Sequence, residues 1–325
     1  MQAMTITQPG GPEVLRLCEM PTPEPVADQI RVRVCATALN RADLVQRMGR
    51  YTAPFGAPQD IPGLEFAGSV DAVGPLVERL RPGDRVFGIV GGGAYAEYLL
   101  TSERMAVPIP ANLDWEQAAA VPEVFMTAHD ALFTQARFTS GERVLVHAVG
   151  SGVGTAAIQL IRATGGISFG TARSADKLQA ARDLGLDVAL PAEGWPAELE
   201  RQTSQSGVHV VLDFVGSAYL ADNLNALATR GRLVLIGLMS GAQAQIDLGV
   251  IQRKRLQMIG TVLRARPLEE KIAVTQAFER QVVPLLERRS VRPVVDRVFE
   301  LQDAAEAHRY MEQNANFGKI VLRVA

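Results

Sequence analysis

Only two cysteines, Cys18 and Cys35, occur in the 325 residues, so a disulfide framework and a four-thiolate zinc site are both excluded. A reduced intracellular protein, cytoplasmic by expectation, is the simplest reading of that scarcity. Charge of one sign is also lacking: 33 Lys and Arg stand against 35 Asp and Glu, a net charge of -2. No basic excess points to nucleic acid or to an anionic membrane. The opening residues Met1, Gln2, Ala3 and Met4 lack the basic stretch and apolar run of a signal peptide. One uncharged run, residues 144–161, just reaches the length of a membrane span. Gly150, Gly152 and Gly154 interrupt its centre, so a strand, a tight turn and a helix start are expected there instead.

What is present is the balance of a globular protein, with 47% hydrophobic and 21% charged residues. The length exceeds what one core usually fills, which favours two domains. The first 120 or so residues read as short strands and turns; Arg31, Val32, Arg33, Val34 and Cys35 alternate with the strand period, and Gly74-Pro75 and Pro82-Gly83-Asp84 punctuate later apolar runs. From about Glu123 short apolar runs alternate with helical patterns. Strand-like 144–146, 167–169, 210–212, 232–236 and 256–259 are interleaved with helix-like 155–163, 175–184 and 218–228. That alternation predicts a doubly wound parallel sheet with helices on both faces. The tail breaks it, with a long helix over 267–287, a strand at 294–299, a helix over 303–311 and a strand at 319–324. The expected organisation is therefore an α/β chain of three segments: 1–122, β-rich; 123–262, the parallel-sheet domain; and 263–325, returning to complete the first.

The segment from Val144 through His147 to Gly150, Ser151, Gly152, Val153 and Gly154 is a buried strand running into a glycine-rich turn and a helix. Such a turn offers backbone N–H groups and a helix N-terminus to a pyrophosphate. The spacing is not the strict dinucleotide fingerprint, because Thr155 stands three residues after Gly152. After the second strand, where an NAD site carries an acidic residue for the ribose, the chain reads Ala172, Arg173, Ser174, Ala175, Asp176, Lys177. Arg173, Ser174 and Lys177 suit a 2′-phosphate, so NADPH is expected over NADH.

These motifs, taken with Leu39-Asn40-Arg41-Ala42-Asp43, Gly63-Leu64-Glu65, Gly83-Asp84-Arg85-Val86, Gly237-Leu238-Met239, His308-Arg309-Tyr310-Met311 and Gly318-Lys319-Ile320-Val321, resemble a known family. The whole chain is similar to the zinc-free quinone oxidoreductase branch of the medium-chain dehydrogenase/reductase superfamily, the zeta-crystallin-like group, and most of all to its tumour-suppressor-inducible quinone oxidoreductase subgroup. The resemblance implies a GroES-like β-rich catalytic domain built from both ends of the chain and a Rossmann domain inserted between them. The positions that hold catalytic zinc in the alcohol dehydrogenases correspond here to Asn40, Leu64 and Glu123, and the histidines His129, His147, His209 and His308 have no metal-site spacing. No metal is expected. Without a Lewis acid to stabilise an alkoxide, hydride delivery to an electron-poor quinone or enone is the easier chemistry.

The resemblance further implies that Tyr51 and Asn40 lie near the nicotinamide, Tyr51 donating a hydrogen bond to the acceptor carbonyl and Asn40 positioning substrate or nicotinamide. It implies cofactor contacts from Thr127, from Val215 and Gly216, from Leu238, Met239 and Ser240, and from Phe317 and Lys319 in a C-terminal loop closing over the cofactor. Asp43 and Glu65 read as structural carboxylates. The chain departs from many relatives at Leu190-Pro191-Ala192, where an Asn-Tyr pair would help hold the 2′-phosphate; Arg173 is the candidate substitute. An enone, alkenal or enoyl-thioester reductase on the same scaffold, and a non-enzymatic crystallin-like NADPH-binding protein, are the alternative readings. A homodimer pairing through the edge strand Leu256, Gln257, Met258 and Ile259 is expected by analogy.

Overall fold

The computed structural model describes residues 1–324 and divides into two compact units. The first joins Met1–Met126 to Leu263–Ala325, and the second is Thr127–Val262.

In the first unit a seven-stranded sheet is built around the strand Gln29–Ala38, whose alternation buries Ile30, Val32, Val34 and Ala36. It pairs antiparallel with Glu65–Val73 and with Tyr98–Ser102, and at its far end with the C-terminal strand Lys319–Arg323, where Val321 faces Ala38. The return segment thus supplies part of the sheet itself. Its last strand in turn pairs parallel with Val295–Glu300. The continuous helix expected over 267–287 is two helices, Leu268–Gln281 and Val283–Glu287. Pro284 lies in the first turn of the second, and its missing N–H explains the break.

The second unit holds six parallel strands in the order Val188–Pro191, Ile167–Ala172, Arg143–Val146, Val208–Asp213, Leu227–Leu235, Gln257–Gly260. The first strand in sequence lies inside the sheet, so the chain winds outward in both directions, the doubly wound arrangement. Leu145, Phe169, Leu190, Trp195, Val211 and Leu233 form its core. The helix Ala175–Leu184 starts on Ser174 as N-cap and stops at Gly185, whose φ of 112° no L side chain adopts easily. The fifth strand begins at Leu227, not 232, and so cuts the preceding helix to Leu220–Ala226. Leu227 pairs with Val208 before the register shifts to Val210 against Arg232. The uncharged run at 144–161 is a strand, a turn and a helix, and no helix among the described residues is long and apolar enough to cross a membrane.

Phe278, on the return helix Leu268–Gln281, is fully buried and meets Phe87 edge to face at 5.8 Å between centroids. Phe278→Ala should lower the unfolding free energy by about 3–5 kcal/mol in urea denaturation. A loss under about 1 kcal/mol would mean the return segment adds little to that core.

Candidate active site

The second unit presents the expected strand, glycine-rich turn and helix. The strand Arg143–Val146 passes through His147 and Ala148, the latter at a positive φ of 48°, into the helix Gly152–Ala163. Ser151 caps that helix by accepting the Gly154 N–H at 3.1 Å. A Cβ on Gly154 would stand 2.6 Å from the Val149 carbonyl oxygen and 2.7 Å from that of Ala148, so glycine is required for the turn to pack. Gly150 leads into the cap, and Val153 lies in the first turn of the helix. Thr127 is half-buried on the helix Pro122–His129 and is the first residue of this unit.

His147 is fully buried against Trp195 and Tyr219, with centroids 5.0 and 4.9 Å away. Burial pushes its imidazole down to about 4, so it is neutral at pH 7. Asn223 Nδ2 donates to Asp213 at 3.1 Å, which turns Asn223 Oδ1 toward His147 Nε2 at 2.7 Å. Nε2 therefore carries the proton, and Nδ1 accepts from the Thr171 hydroxyl at 2.9 Å. Asp213 in turn accepts the N–H groups of Val215 at 2.7 Å and Gly216 at 3.1 Å. The loop after the fifth strand is stapled to this one: Ser240 Oγ donates to the Val215 carbonyl at 2.8 Å and accepts the Ala218 N–H at 3.0 Å. A Cβ on Gly216 would lie 2.8 Å from the Gly241 carbonyl oxygen. Leu238 and Met239 remain exposed, 52% and 59%, an apolar edge beside polar staples. All these loops follow the carboxyl ends of parallel strands, where such sheets bind ligands.

At the end of the second strand Arg173 is exposed and makes no hydrogen bond or ion pair among the described residues. Ser174 accepts the Lys177 N–H at 3.4 Å, and Lys177 is half-buried one turn into that helix. A residue that the sequence does not signal joins this corner. The Tyr219 hydroxyl donates to the Ala192 carbonyl at 3.4 Å, and the charge of Arg173 partly offsets the upward push of burial on its phenol. Ala192 itself supplies no hydroxyl, but a tyrosine from another strand's loop reaches its carbonyl. No local pattern could mark that approach.

In the first unit two expectations need correcting. Lys319 lies on the final strand, is 3% exposed, and does not stand in a loop that closes over a cofactor. Its ammonium donates to the Leu39 carbonyl at 2.6 Å and to Asn40 Oδ1 at 2.8 Å, and pairs with Glu65 at 2.8 Å. Three donors have three acceptors, so none is left for a ligand. Asn40 is committed likewise: its amide N–H groups go to Glu65 at 2.9 Å and to the Ala38 carbonyl at 3.3 Å. Asn40 acts within the protein and not as a free donor. The second Glu65 oxygen accepts the Glu123 N–H at 2.9 Å, which fixes Glu123 in this unit. Asp43, wholly buried, accepts the N–H groups of Asn40 at 2.8 Å and Gly63 at 3.0 Å, and burial raises its carboxyl to about 6. Phe317 is half-buried, its N–H held by Asp296 at 3.0 Å.

Tyr51 differs from Asn40. It is half-buried in the irregular segment after the helix Arg41–Arg47, and its hydroxyl makes no hydrogen bond among the described residues. Burial raises its phenol, against the opposing pull of Arg264. That guanidinium lies over the ring, 4.9 Å from its centroid. Nothing local in the sequence marks Arg264 among its neighbouring arginines.

At the three positions matched to zinc ligands the side chains are the engaged amide of Asn40, the buried hydrocarbon of Leu64 and the single carboxylate of Glu123. That donor set does not fit Zn²⁺, which needs three protein ligands in a catalytic site. No group of three or more His, Cys, Asp or Glu side chains among the described residues is placed to hold a metal ion.

Residues 26–111 match the family model described as an alcohol dehydrogenase GroES-like domain, and residues 184–322 that of a zinc-binding dehydrogenase. A quinone oxidoreductase of Pseudomonas aeruginosa is 35% identical over 96% of this chain and 96% of its own length. The NorB protein of the spectinabilin polyketide synthase system of Streptomyces orinoci is 37% identical over 96% of this chain, which spans 14% of that much longer protein. Among solved structures, one described as an NAD-dependent alcohol dehydrogenase is 34% identical with a TM-score of 0.90, covering all of both chains. A mycobacterial protein complexed with NADPH is 27% identical with a TM-score of 0.88, again over all of both chains. The CurK enoyl reductase is 26% identical with a TM-score of 0.87, over 100% of this chain and 99% of its own. Full-length likeness to quinone oxidoreductases, on a GroES-like unit joined to a doubly wound parallel sheet, settles the family: the chain belongs to the quinone oxidoreductase branch of the medium-chain dehydrogenase/reductase superfamily, oxidoreductases that bind a nicotinamide dinucleotide.

Proposed function

We propose that the protein is an NADPH-dependent quinone oxidoreductase that reduces its acceptor by direct hydride transfer, without zinc. The observation that carries this reading is Tyr51, a hydroxyl with no hydrogen-bond partner among the described residues beside a buried guanidinium, in a unit whose zinc-equivalent positions lack a ligand set. When bound, NADPH supplies the hydride. The turn from Gly150 to Gly154 holds the pyrophosphate through its N–H groups, and Ser151 keeps the helix start in register. Arg173, Ser174 and Lys177 take the 2′-phosphate, and Tyr219, whose hydroxyl proton goes to the Ala192 carbonyl, ties the loop after the third strand to this corner. Val215, Gly216, Leu238 and Met239 border the cofactor, and Ser240 holds their two loops together. Tyr51 donates to the acceptor oxygen as negative charge develops there, and Asn40 and Lys319 serve by fixing the backbone at the start of the helix Arg41–Arg47.

The likeness to the CurK enoyl reductase keeps a second reading in play, reduction of an enone or enoyl thioester. It requires a proton for the α-carbon after hydride reaches the β-carbon. A stopped-flow panel of p-benzoquinones against enones and enoyl thioesters separates the two by kcat/KM.

Arg173→Ala should raise KM for NADPH by roughly 10–100-fold while leaving KM for NADH within about twofold, since a charge-assisted bond to phosphate contributes about 1.5–3 kcal/mol. Equal effects on both cofactors would remove Arg173 from the phosphate corner. Tyr51→Phe should lower kcat/KM for a p-benzoquinone by roughly 10–100-fold with KM for NADPH unchanged. Parental activity would end the donor role. We further expect two copies to pair through the outer edge of the strand Gln257–Gly260, which has no strand partner among the described residues. Light scattering should then find a dimer, and Met258→Lys should shift it toward monomer; a monomeric parent protein would exclude the pairing.

A further inference from the structure

Arg264 is 7% exposed, yet no carboxylate lies within ion-pair distance of it among the described residues. Its partners are neutral: Nε donates to the Gly91 carbonyl at 2.8 Å and one terminal nitrogen to Gln46 Oε1 at 2.6 Å. Gln46 is anchored in turn, donating to the Gln59 carbonyl at 3.0 Å. The other terminal nitrogen, Nη1, is sealed from solvent with no hydrogen-bond partner among the described residues. Desolvating a guanidinium against neutral groups alone is unfavourable, and burial accordingly weakens its hold on the proton. Proteins retain such costs where function requires them.

The anchors surround the loop that carries Tyr51. Gln46 sits on the helix that precedes Tyr51, and Gln59 lies on the loop that follows it. Gly91 packs against the same loop: a Cβ there would meet Pro54 Cγ at 2.8 Å and Ala57 Cβ at 3.0 Å. Tyr51 has no regular secondary structure to fix its ring. The guanidinium over its face is the contact that does so.

We propose that Arg264 is the positioning residue for Tyr51, holding the ring by its stack and making the hydroxyl a stronger donor through its uncancelled charge. This rests on the donor role proposed for Tyr51. Arg264 is not a catalytic residue, because Nη1 is closed to any substrate. Its charge favours negative charge on the tyrosine oxygen and on an acceptor oxygen bonded to it. The groups that act on the Tyr51 phenol are Arg264, which lowers its pKa, and Glu123, which raises it; Asp43 acts on Arg264 itself.

The test is a double-mutant cycle on the full-length protein with NADPH and a p-benzoquinone. Arg264→Met should lower kcat/KM roughly tenfold, leave KM for NADPH unchanged, and move any alkaline limb of the pH profile to higher pH. In a Tyr51→Phe background the same substitution should change kcat/KM less than about twofold. Arg264→Lys, which keeps the charge but not the planar stack, should recover part of the loss, and it replaces Arg264→Met in the cycle if that variant does not fold. Equal losses from Arg264→Met in both backgrounds would overturn the positioning role while leaving Tyr51 as donor. A fully active Tyr51→Phe enzyme would overturn both.

Discussion

The polar interior of the first unit depends on the buried ammonium of Lys319. It neutralises Glu65, and both side chains are almost wholly enclosed, 4% and 0% exposed. Remove the lysine and a carboxylate remains in the core without compensation, the circumstance that costs about 3–5 kcal/mol in buried pairs. The ammonium reaches that carboxylate only because the final strand pairs with Gln29–Ala38, so the ion pair fastens the end of the chain to its beginning. Its consequences run further along the sequence. Lys319 holds the Leu39 carbonyl and the Asn40 amide, and Asp43 holds the Asn40 N–H, which together fix the start of the helix Arg41–Arg47. Asp43 also grips the Gly63 N–H. The segment carrying Tyr51 is thereby fixed at both ends by one connected set of polar groups.

The second unit reaches the same end without a buried cation. His147 is neutral because water is excluded from it, and a neutral imidazole can accept from Thr171 on one side while donating to Asn223 on the other. Those three residues come from a turn, a strand and a helix, and Asn223 passes the order on through Asp213 to the N–H groups of Val215 and Gly216. A protonated ring would lose its acceptor and turn two donors toward groups arranged for one of each. The glycine turn and the loop after the fourth strand are thus held in a fixed relation within the unit, the preorganisation that a ligand site requires.

Local signals make much of this fold legible, and their limits are physical. Ser174 and Gly185 bracket a helix whose ends are visible in the sequence, and the change from punctuated strands to alternating strands and helices reflects two kinds of sheet. Pro284 marks a break in the return helix, though the pattern on either side reads as continuous. Side-chain direction is less accessible. Lys319 opens the run Ile320, Val321, Leu322, all fully buried, and a cation at the head of such a strand is a signal of internal pairing that a loop reading overlooks. Tyr219 and Arg264 lie beyond reach because each meets its partner across a separation that only the folded chain closes.

The two buried cations of the first unit also divide its candidate residues. The Lys319 charge is answered at 2.8 Å by Glu65, so the field around Asn40 is nearly closed, and the amide there is spent on the pair that encloses it. The Arg264 charge meets only a carbonyl and an amide oxygen. Asp43 tempers it from farther away, but does not approach to form an ion pair with it. A field that is not cancelled at short range persists at its neighbours, and the nearest aromatic face is Tyr51. Of the two side chains expected to face an acceptor, then, only Tyr51 combines a hydroxyl without a hydrogen-bond partner among the described residues and a positive surrounding. Under the proposed function both stabilise negative charge gathering on the acceptor oxygen.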